Sequence, residues 1–368
     1  MKLLFVVTED WYFVSHRLPL AVAARAAGFE VAVATRAGRQ ADAIREAGIR
    51  LIPFNLSRRG GNPLAEMMAL WRLYRRERPD LVHHVALKPV LYGALAARLA
   101  RVPAQVNAVA GLGWLFTSSR GIVRLLRPVL RRMLARLLDR PHSLTIVQNP
   151  EDMALLERSG VPAARLRLIR GAGVDVRVFH PTASPAGPVV IVLASRMLRD
   201  KGVGEFVEAA RRLAGSGGDA RFVLVGDPDP ANPASVPEST LRSWHGQHGV
   251  EWWGRRDDMP AVLQAAHIAC LPSYREGLPK SLLEAAACGL PIVTTDAPGC
   301  REVVRDGMNG LLVPVRDTTA LAAALGKLIE DAELRRRMGE QSRLRAETEF
   351  GLETVIAQTL AVYREMCT

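Results

Sequence analysis

The sequence predicts an α/β protein built from two doubly wound domains, each with a parallel sheet covered by helices. Short apolar runs alternate with segments of helical apolar spacing, and this alternation is typical of such sheets. A proline-rich stretch at 181–188 interrupts the alternation and has the composition of a linker. The 368 residues suffice for two cores of ordinary size.

We therefore expect an N-terminal domain at 1–182, a C-terminal domain at 183–350 and a last helix at 351–368. The strands predicted for the N-terminal domain are Leu3–Val7, Phe29–Ala34, Ile49–Phe54, Leu81–Ala86, Ala104–Ala108, Leu144–Val147 and Leu166–Ile169. Its predicted helices are His16–Ala27, Pro63–Arg78, Pro89–Arg101, Pro150–Ser159 and Ile122–Leu138, the last one kinked or broken at Pro128.

The alternation restarts after the linker. The strands predicted there are Val189–Ala194, Arg221–Val225, Val250–Trp253, Ile268–Leu271, Ile292–Thr294 and Gly310–Val313. The predicted helices are Gly204–Ala214, a helix from Pro237 to about His248, Pro260–Ala265, Lys280–Cys288, Ala320–Asp331, Ala332–Arg345 and Leu352–Met366.

Composition excludes several classes of protein. An apolar fraction of 49% with 23% charged residues is that of a folded soluble chain, and no apolar run approaches the roughly 18–20 residues of a membrane span. The apolar run Leu3–Val7 is too short for a signal peptide, so we expect a cytoplasmic protein. The four cysteines lack CxxC spacing, which favours reduced thiols over a zinc site or disulfides.

Charge is distributed unevenly along the chain. Residues 1–182 hold 28 Lys and Arg against 13 Asp and Glu, a net charge of +15, whereas the remainder holds 21 against 24, a net charge of −3. The two halves are therefore expected to meet different partners, and both anionic lipid and nucleic acid suit the basic half.

The most informative stretch is Ser273–Glu284, where an apolar strand is followed by a turn and a helix. Gly277 permits a tight turn, and Pro279 occupies the position expected for a first helical residue. The N–H groups at such a strand-to-helix turn bind anions. Because Glu276 and Glu284 flank the turn with carboxylates that suit hydroxyl groups, the stretch predicts a nucleotide-sugar site.

A second strand-to-helix turn carries two cations, Arg196 and Lys201. They can supply positive charge to a pyrophosphate, Arg196 in bidentate fashion, and would stabilise a nucleoside-diphosphate leaving group in place of a metal. Asp227 and Asp229 have the spacing of a DxD metal motif, but their proline-rich loop favours a turn. We therefore expect no metal and no cofactor beyond the nucleotide-sugar itself.

Together these residues resemble the retaining glycosyltransferases of family 4, which have the GT-B fold. Glu276 and Glu284 match the E-x7-E motif of that family, and Ser195–Gly202 resembles the loop whose Arg and Lys hold the diphosphate. Gly171–Asp175 with Phe179 resembles the segment that ends the N-terminal domain. The resemblance spans nearly the whole chain. It implies two Rossmann-like domains facing across a cleft, with the last helix packed toward the N-terminal domain.

Three shorter segments resemble one branch of the family, which extends polyprenyl-diphosphate-linked glycans and includes bacterial N-glycan N-acetylgalactosaminyltransferases. They are Pro19–Ala21, Leu87–Pro89, and Gly111–Gly113 with Phe116. This resemblance implies a UDP-sugar donor, a hexose or N-acetylhexosamine with N-acetylgalactosamine favoured, and a product that retains the donor's α configuration.

The family resemblance also implies roles for the carboxylates and their turn. Glu276 would orient the transferred sugar, and Glu284 would accept hydrogen bonds from the ribose diol. On the residues alone, Glu284 also suits an ion pair with Lys280, four residues earlier on the helix. Gly277, Leu278 and Pro279 would contact the donor. Same-face attack, with a donor phosphate oxygen taking the acceptor's proton, would need no general base.

His83 and His84 occur at the end of a predicted strand, and Lys88 begins the next helix. Part of the family places a histidine nearby as a ligand of the sugar's 6-hydroxyl, so His84 and Lys88 join Glu276 as candidate catalytic residues. Adjacent strand residues point to opposite faces of a sheet, so one histidine of the pair faces away from the cleft. A buried structural histidine is the alternative.

The segment Glu9–Arg17 is predicted to be a loop after the first strand, rich in aromatic and charged residues. We expect it to bind the acceptor, with the lipid diphosphate near its cationic end. Aromatic residues that merely pack on the domain are the alternative. The candidate acceptor residues are Ser15, His16 and Arg17 together with Gly111 and Gly113 of a second loop at the same edge.

Residues 120–140 combine arginines with apolar residues in the pattern of a basic amphipathic helix. Such a helix suits an anionic bilayer surface, where each cation contributes on the order of 1 kcal/mol. An ordinary solvated helix face is the alternative. With a lipid-linked acceptor, the pattern favours a peripheral protein on the inner face of the cell membrane. The candidate membrane residues are Arg124, Arg127, Arg131 and Arg132.

Two other classes of protein agree with part of the sequence. A sugar-nucleotide 2-epimerase has the same fold, but it needs neither an acceptor nor a basic membrane helix. A nucleic-acid-binding protein is suggested by charge alone, and the missing aromatic-basic sheet motif and the diphosphate loop count against it. We therefore expect no nucleic-acid partner.

Overall fold

The computed structural model describes residues 1–58, 60–109, 131–214 and 219–367. It contains two all-parallel sheets covered by helices, which confirms the predicted α/β fold of two Rossmann-like domains. The chain divides into two units, Met1–Ala172 with Thr354–Thr368 and Gly173–Glu353. The division therefore falls at Ala172, before the proline-rich stretch that the sequence favours as a linker.

The first unit has a seven-stranded sheet in the order β3-β2-β1-β4-β5-β6-β7. Its strands are β1 (Lys2–Glu9), β2 (Glu30–Arg36), β3 (Arg50–Pro53), β4 (Leu81–Val85), β5 (Ala104–Val109), β6 (Ser143–Val147) and β7 (Leu166–Leu168). Strands β4, β5 and β6 are buried along their whole length because helices cover both faces. The chain reverses direction across the sheet between β1 and β4, and ligands of such sheets bind beyond the carboxyl ends of the strands at that point.

The helices of this unit are Asp10–His16, Leu18–Ala26, Ala41–Glu46, Pro63–Glu77, Leu87–Ala100 and Pro150–Arg158, and residues 131–138 are also helical. The last helix, Leu352–Cys367, packs Val355, Val362 and Tyr363 into the core of the first unit. Among the described residues, no helix is both long and apolar enough to cross a bilayer.

The second unit has a six-stranded sheet in the order β10-β9-β8-β11-β12-β13. Its strands are β8 (Val189–Ala194), β9 (Ala220–Val225), β10 (Val250–Trp252), β11 (Ile268–Leu271), β12 (Ile292–Thr295) and β13 (Gly310–Val313). Its helices are Val203–Leu213, Glu238–Trp244, Met259–Gln264, Lys280–Ala287, Cys300–Val303, Thr318–Glu330 and Ala332–Glu349. The turns that follow β8, β9 and β11 meet at one edge of this sheet, because parallel strands end on the same side.

The structure corrects one predicted loop. Most of the segment Glu9–Arg17 is helical, over Asp10–His16. The carboxylate of Asp10, 3% exposed, accepts hydrogen bonds from its neighbour Trp11 and from the backbone N–H groups of Gly38 and Gln40 at 2.6 and 3.0 Å. This tertiary contact orders the helix start, and seven residues are too few for a clear helical period in the sequence.

Candidate active site

The loops after β8 and β11 bring Lys201 and Glu276 together. The Nζ of Lys201 forms an ion pair with Oε1 of Glu276, and both side chains are largely buried. The hydroxyl of Ser273 lies 2.7 Å from the same carboxylate oxygen, and the N–H of Glu276 donates to the Pro298 carbonyl at 3.0 Å. Glu276 is therefore held from its backbone and its side chain, and no feature of the sequence singled out Ser273 as its partner.

The close approach of these two loops depends on Gly202. Its φ is +74°, and a Cβ at this position would lie 2.2 Å from the carbonyl oxygen of Pro272 at the end of β11. Any L side chain would therefore push the Lys201 loop away from β11 and adopt a strained backbone conformation. Glycine is required here because the ion pair needs the two backbones in contact.

Glu284 forms an ion pair with Lys280 on its own helix and is 8% exposed. The alternative pairing considered from the sequence is therefore present in the structure. The helix begins at Lys280, and Pro279 is the residue before it rather than the first helical residue. Leu278 is 8% exposed and packs into the apolar core of the second unit, so its side chain does not face a ligand.

Arg196 forms an ion pair with Asp229, with 2.8 Å between Nη1 and Oδ2. Asp227 instead accepts a hydrogen bond from the N–H of Arg255 at 3.0 Å. Each carboxylate of the Asp-Pro-Asp segment thus holds a neighbouring part of the second unit. The sequence identified the segment as a turn but gave no sign that Asp229 faces Arg196.

The structure places His84 in the core of the first unit. Its Nδ1 lies 2.8 Å from Oδ1 of Asn107, and its Nε2 lies 3.0 Å from the hydroxyl of Tyr74. The carboxamide accepts from Nδ1–H and Tyr74 donates to Nε2, so both ring nitrogens are engaged inside the domain. Burial lowers the pKa of His84 to about 4. We therefore reassign His84 from catalysis to the core.

His83 is also fully buried, on the opposite face of β4. It stacks on Phe5 with ring centroids 5.0 Å apart, and its Nδ1 lies 2.5 Å from the hydroxyl of Tyr363 in the last helix. Burial, and then the positive charge of Arg17, hold the pKa of His83 well below its ordinary value. Neither histidine of the pair is therefore placed as a proton donor to a ligand at neutral pH.

Because the pKa values of both buried histidines are lowered, we expect the stability of the protein to depend on pH. Both are neutral in the folded chain and become protonated in the unfolded chain below about pH 6.5, so the unfolded state binds more protons. The free energy of unfolding is expected to fall between pH 6.5 and pH 4, by about 3 kcal/mol for His84 alone. Urea denaturation followed by circular dichroism at several pH values tests this. His84→Gln should flatten the slope, and an unchanged slope would contradict the prediction.

Lys88 also has partners inside the first unit. Its Nζ lies 2.6 Å from Oε2 of Glu66 and donates to the carbonyl oxygens of Ser57 and Gly60 at 2.6 and 3.1 Å. These contacts tie the loop after β3 to the start of the Leu87–Ala100 helix. Lys88 therefore orders a loop of the first unit, and its candidate catalytic role stays a prediction.

Arg17 is the most unusual of the acceptor candidates. It is 4% exposed, its Nε has no hydrogen-bond partner, and no carboxylate of the described residues pairs with it. Its positive charge lowers the pKa of His83 on β4. Ser15 is exposed, and His16 stacks on Tyr12 with ring centroids 4.2 Å apart. A buried guanidinium without a counter-ion is costly and favours a bound anion.

The remaining candidates are only partly described. Gly111, Gly113, Arg124 and Arg127 lie outside the described residues. Arg132 and Met133 are exposed on the helical stretch 131–138, whereas Leu134 and Leu138 are buried; Arg131 is half-buried. This stretch therefore has an apolar inner side and a mixed basic and apolar outer side.

Two parallel Rossmann-like sheets, with a cationic turn at the carboxyl edge of the second, form the architecture expected of a GT-B glycosyltransferase. Residues 2–139 match a family model described as glycosyl transferase 4-like, and residues 188–331 match one described as glycosyl transferases group 1. The chain therefore belongs to the group 1, family-4-like glycosyltransferases, which confirms the resemblance found in the sequence.

Two curated relatives act on undecaprenyl-diphosphate-linked sugars. The N,N'-diacetylbacillosaminyl-diphospho-undecaprenol alpha-1,3-N-acetylgalactosaminyltransferase of Campylobacter jejuni is 29% identical over 89% of this chain and 89% of its own length. The UDP-Gal:alpha-D-GlcNAc-diphosphoundecaprenol alpha-1,3-galactosyltransferase of Escherichia coli is 26% identical over 74% of this chain and 72% of its own length.

Solved structures show the same fold at lower identity. HepE from Anabaena, in complex with UDP and glucose, has a TM-score of 0.81 and 20% identity, with 99% of both chains covered. Sucrose-phosphate synthase from Thermosynechococcus elongatus has a TM-score of 0.78 and 22% identity, covering 100% of this chain and 99% of its own.

Proposed function

We propose that this protein is a retaining transferase that moves a sugar from a UDP-sugar to a polyprenyl-diphosphate-linked saccharide in cell-surface glycan or glycoprotein assembly. The observation that carries the proposal is that Arg196 and the ion pair of Lys201 with Glu276 lie in turns at the same carboxyl edge of the second sheet. N-acetylgalactosamine is favoured as the transferred sugar because it is the one named for the Campylobacter relative.

The donor is proposed to bind to the second unit. Arg196 and Lys201 would neutralise its diphosphate, the backbone of 277–279 would approach the phosphates, and Glu284 would accept from the ribose hydroxyls. Glu276 would accept from hydroxyls of the transferred sugar. Because Lys201 and Glu284 already hold internal partners, the donor would exchange these ion pairs for its own phosphate and hydroxyl groups.

The proposed chemical step needs no protein nucleophile and no metal. The acceptor hydroxyl oxygen attacks C1 of the sugar on the face that UDP leaves, and the bond from C1 to the β-phosphate oxygen breaks. The hydroxyl proton passes to an oxygen of the departing phosphate, so UDP leaves with that proton. The positive charges of Arg196 and Lys201 stabilise the diphosphate as negative charge develops on it.

The acceptor is proposed to bind to the first unit, with Arg17 at its diphosphate. The exposed Arg132 and Met133 suit contact with an anionic lipid surface, and the net charge of +15 over residues 1–182 adds a longer-range attraction. We accordingly propose a peripheral position on the inner face of the cell membrane.

A panel of UDP- and GDP-sugars with synthetic polyprenyl-diphosphate acceptors tests the proposal. We expect transfer from a UDP-sugar and an α-linked product by NMR analysis of the anomeric carbon. A β-linked product from an α-donor would rule out the retaining mechanism. Epimerised sugar nucleotide without any need for acceptor would instead identify a 2-epimerase.

A further inference from the structure

Asp229 belongs to a loop that is paired to the loop carrying Arg196. The N–H of Val236 donates to the Met197 carbonyl at 2.9 Å, and that of Arg199 donates to the Ala234 carbonyl at 2.7 Å. Leu198 and Ser235 form an antiparallel bridge. The loops after β8 and β9 therefore form one ordered piece, and the position of Asp229 relative to Arg196 is fixed by backbone hydrogen bonds.

Asp229 is held by hydrogen bonds of its backbone, and its side chain is mostly buried. Its side chain is 11% exposed, compared with 41% for Arg196, and its N–H donates to the hydroxyl of Ser235 at 2.9 Å. The carbonyl of Asp229 accepts from the N–H of Asn232 at 2.7 Å. A long, half-exposed arginine is thus held by a short, mostly buried acid on a rigid loop.

We propose that Asp229 is a positioning residue that holds the guanidinium of Arg196 in the orientation in which it meets the diphosphate of the donor. The inference rests on the proposed donor site. A guanidinium is planar and has donors on more than one edge, so one edge can hold a carboxylate while another contacts a phosphate. Ordering Arg196 before the donor arrives removes part of the entropy cost of binding.

The opposite role would be competition, in which Asp229 occupies Arg196 and must be displaced by the diphosphate. Lys201 is in that situation, because its partner Glu276 is itself proposed to turn to the sugar. Asp229 differs because backbone hydrogen bonds join its loop to the Arg196 loop, and because Asp229 has no proposed ligand of its own. Positioning and competition predict opposite changes in donor affinity, which makes them separable by experiment.

The test measures the dissociation constants of UDP and uridine by calorimetry, together with kcat and KM for the donor. Asp229→Ala is expected to weaken UDP binding and raise the donor KM about tenfold, because Arg196 is no longer ordered. Asp229→Asn keeps the size and should lie between wild type and alanine. Uridine has no phosphate, so its affinity should not change. Glu238→Gln, which removes an ion pair to Arg242 in the same unit, is the matched control.

The double variant separates positioning from a general structural effect. If Asp229 acts through Arg196, then Arg196→Ala with Asp229→Ala should bind UDP no more weakly than Arg196→Ala alone. Tighter UDP binding in Asp229→Ala would establish competition and overturn the inference, and so would an unchanged affinity or an equal loss for uridine. If Arg196→Ala itself left UDP affinity unchanged, the proposed donor site, and with it this inference, would be wrong.

Discussion

Replacing Glu276 by Gln is expected to lower kcat for sugar transfer by about 100- to 1000-fold. The amide keeps the size of the side chain but loses the negative charge and one of the two oxygens that accept hydrogen bonds from the sugar hydroxyls. Because the ion pair with Lys201 is lost as well, Lys201 becomes more available to the diphosphate. UDP affinity is therefore expected to stay the same or to rise. Release of UDP in the presence of acceptor gives kcat, and calorimetry gives the affinity.

Glu349→Gln is the matched control for this change. Glu349 is a partly buried carboxylate of the same unit that pairs with Arg345 at 2.9 Å, so its loss affects stability in a comparable way without touching the proposed site. If Glu276→Gln turned over near the wild-type rate, Glu276 would not be an active-site residue. A parallel loss of UDP affinity would show that Glu276 only supports the Lys201 loop.

Replacing Arg17 by Met is expected to lower kcat/KM for a polyprenyl-diphosphate acceptor by about 10- to 100-fold, the effect of losing a charged hydrogen bond. The same variant is expected to be as stable as wild type or more so, because it removes a buried charge that has no described counter-ion. Steady-state kinetics with varied acceptor, alongside thermal denaturation, measure the two effects. Arg17→Lys should recover part of the activity.

Two controls make this prediction specific. Hydrolysis of the UDP-sugar without acceptor should be unchanged in Arg17→Met, since the donor is proposed to bind to the second unit. Arg50→Met, which removes an exposed pair with Glu77 in the first unit, should leave acceptor kinetics unchanged. A strong loss of stability with equal losses of transfer and hydrolysis would contradict an acceptor role and make Arg17 a structural residue.

The sequence alone determined the fold and the family of this protein. Buried parallel strands are continuous apolar runs, and the apolar residues of the helices between them recur with a period of 3.6. The alternation of strands and helices can therefore be recognised in the amino-acid sequence. Short elements were harder to predict. Helices such as Ala41–Glu46 and Cys300–Val303 span too few residues for a period to appear, and the Asp10–His16 helix depends on a carboxylate bound to residues 38 and 40.

The sequence also predicted where the candidate donor site lies in the second unit. Arg196, Lys201 and Glu276 follow strands, and parallel strands bring such positions to one edge without further information. The ion pair between Lys201 and Glu276 could not be predicted from the sequence. The two residues are 75 positions apart, and they meet only where Gly202 lets two backbones touch.

Tertiary structure decided which polar residues find partners inside the chain. His84, Lys88 and Asp229 look alike in sequence as polar groups near strand ends, yet each is bound to a partner of its own unit. Arg17 is buried without such a partner among the described residues. The spacing of residues in the sequence indicates to which face of a helix or strand a side chain points. The hydrogen-bond partners of that side chain are often distant in sequence, and only folding brings them into contact.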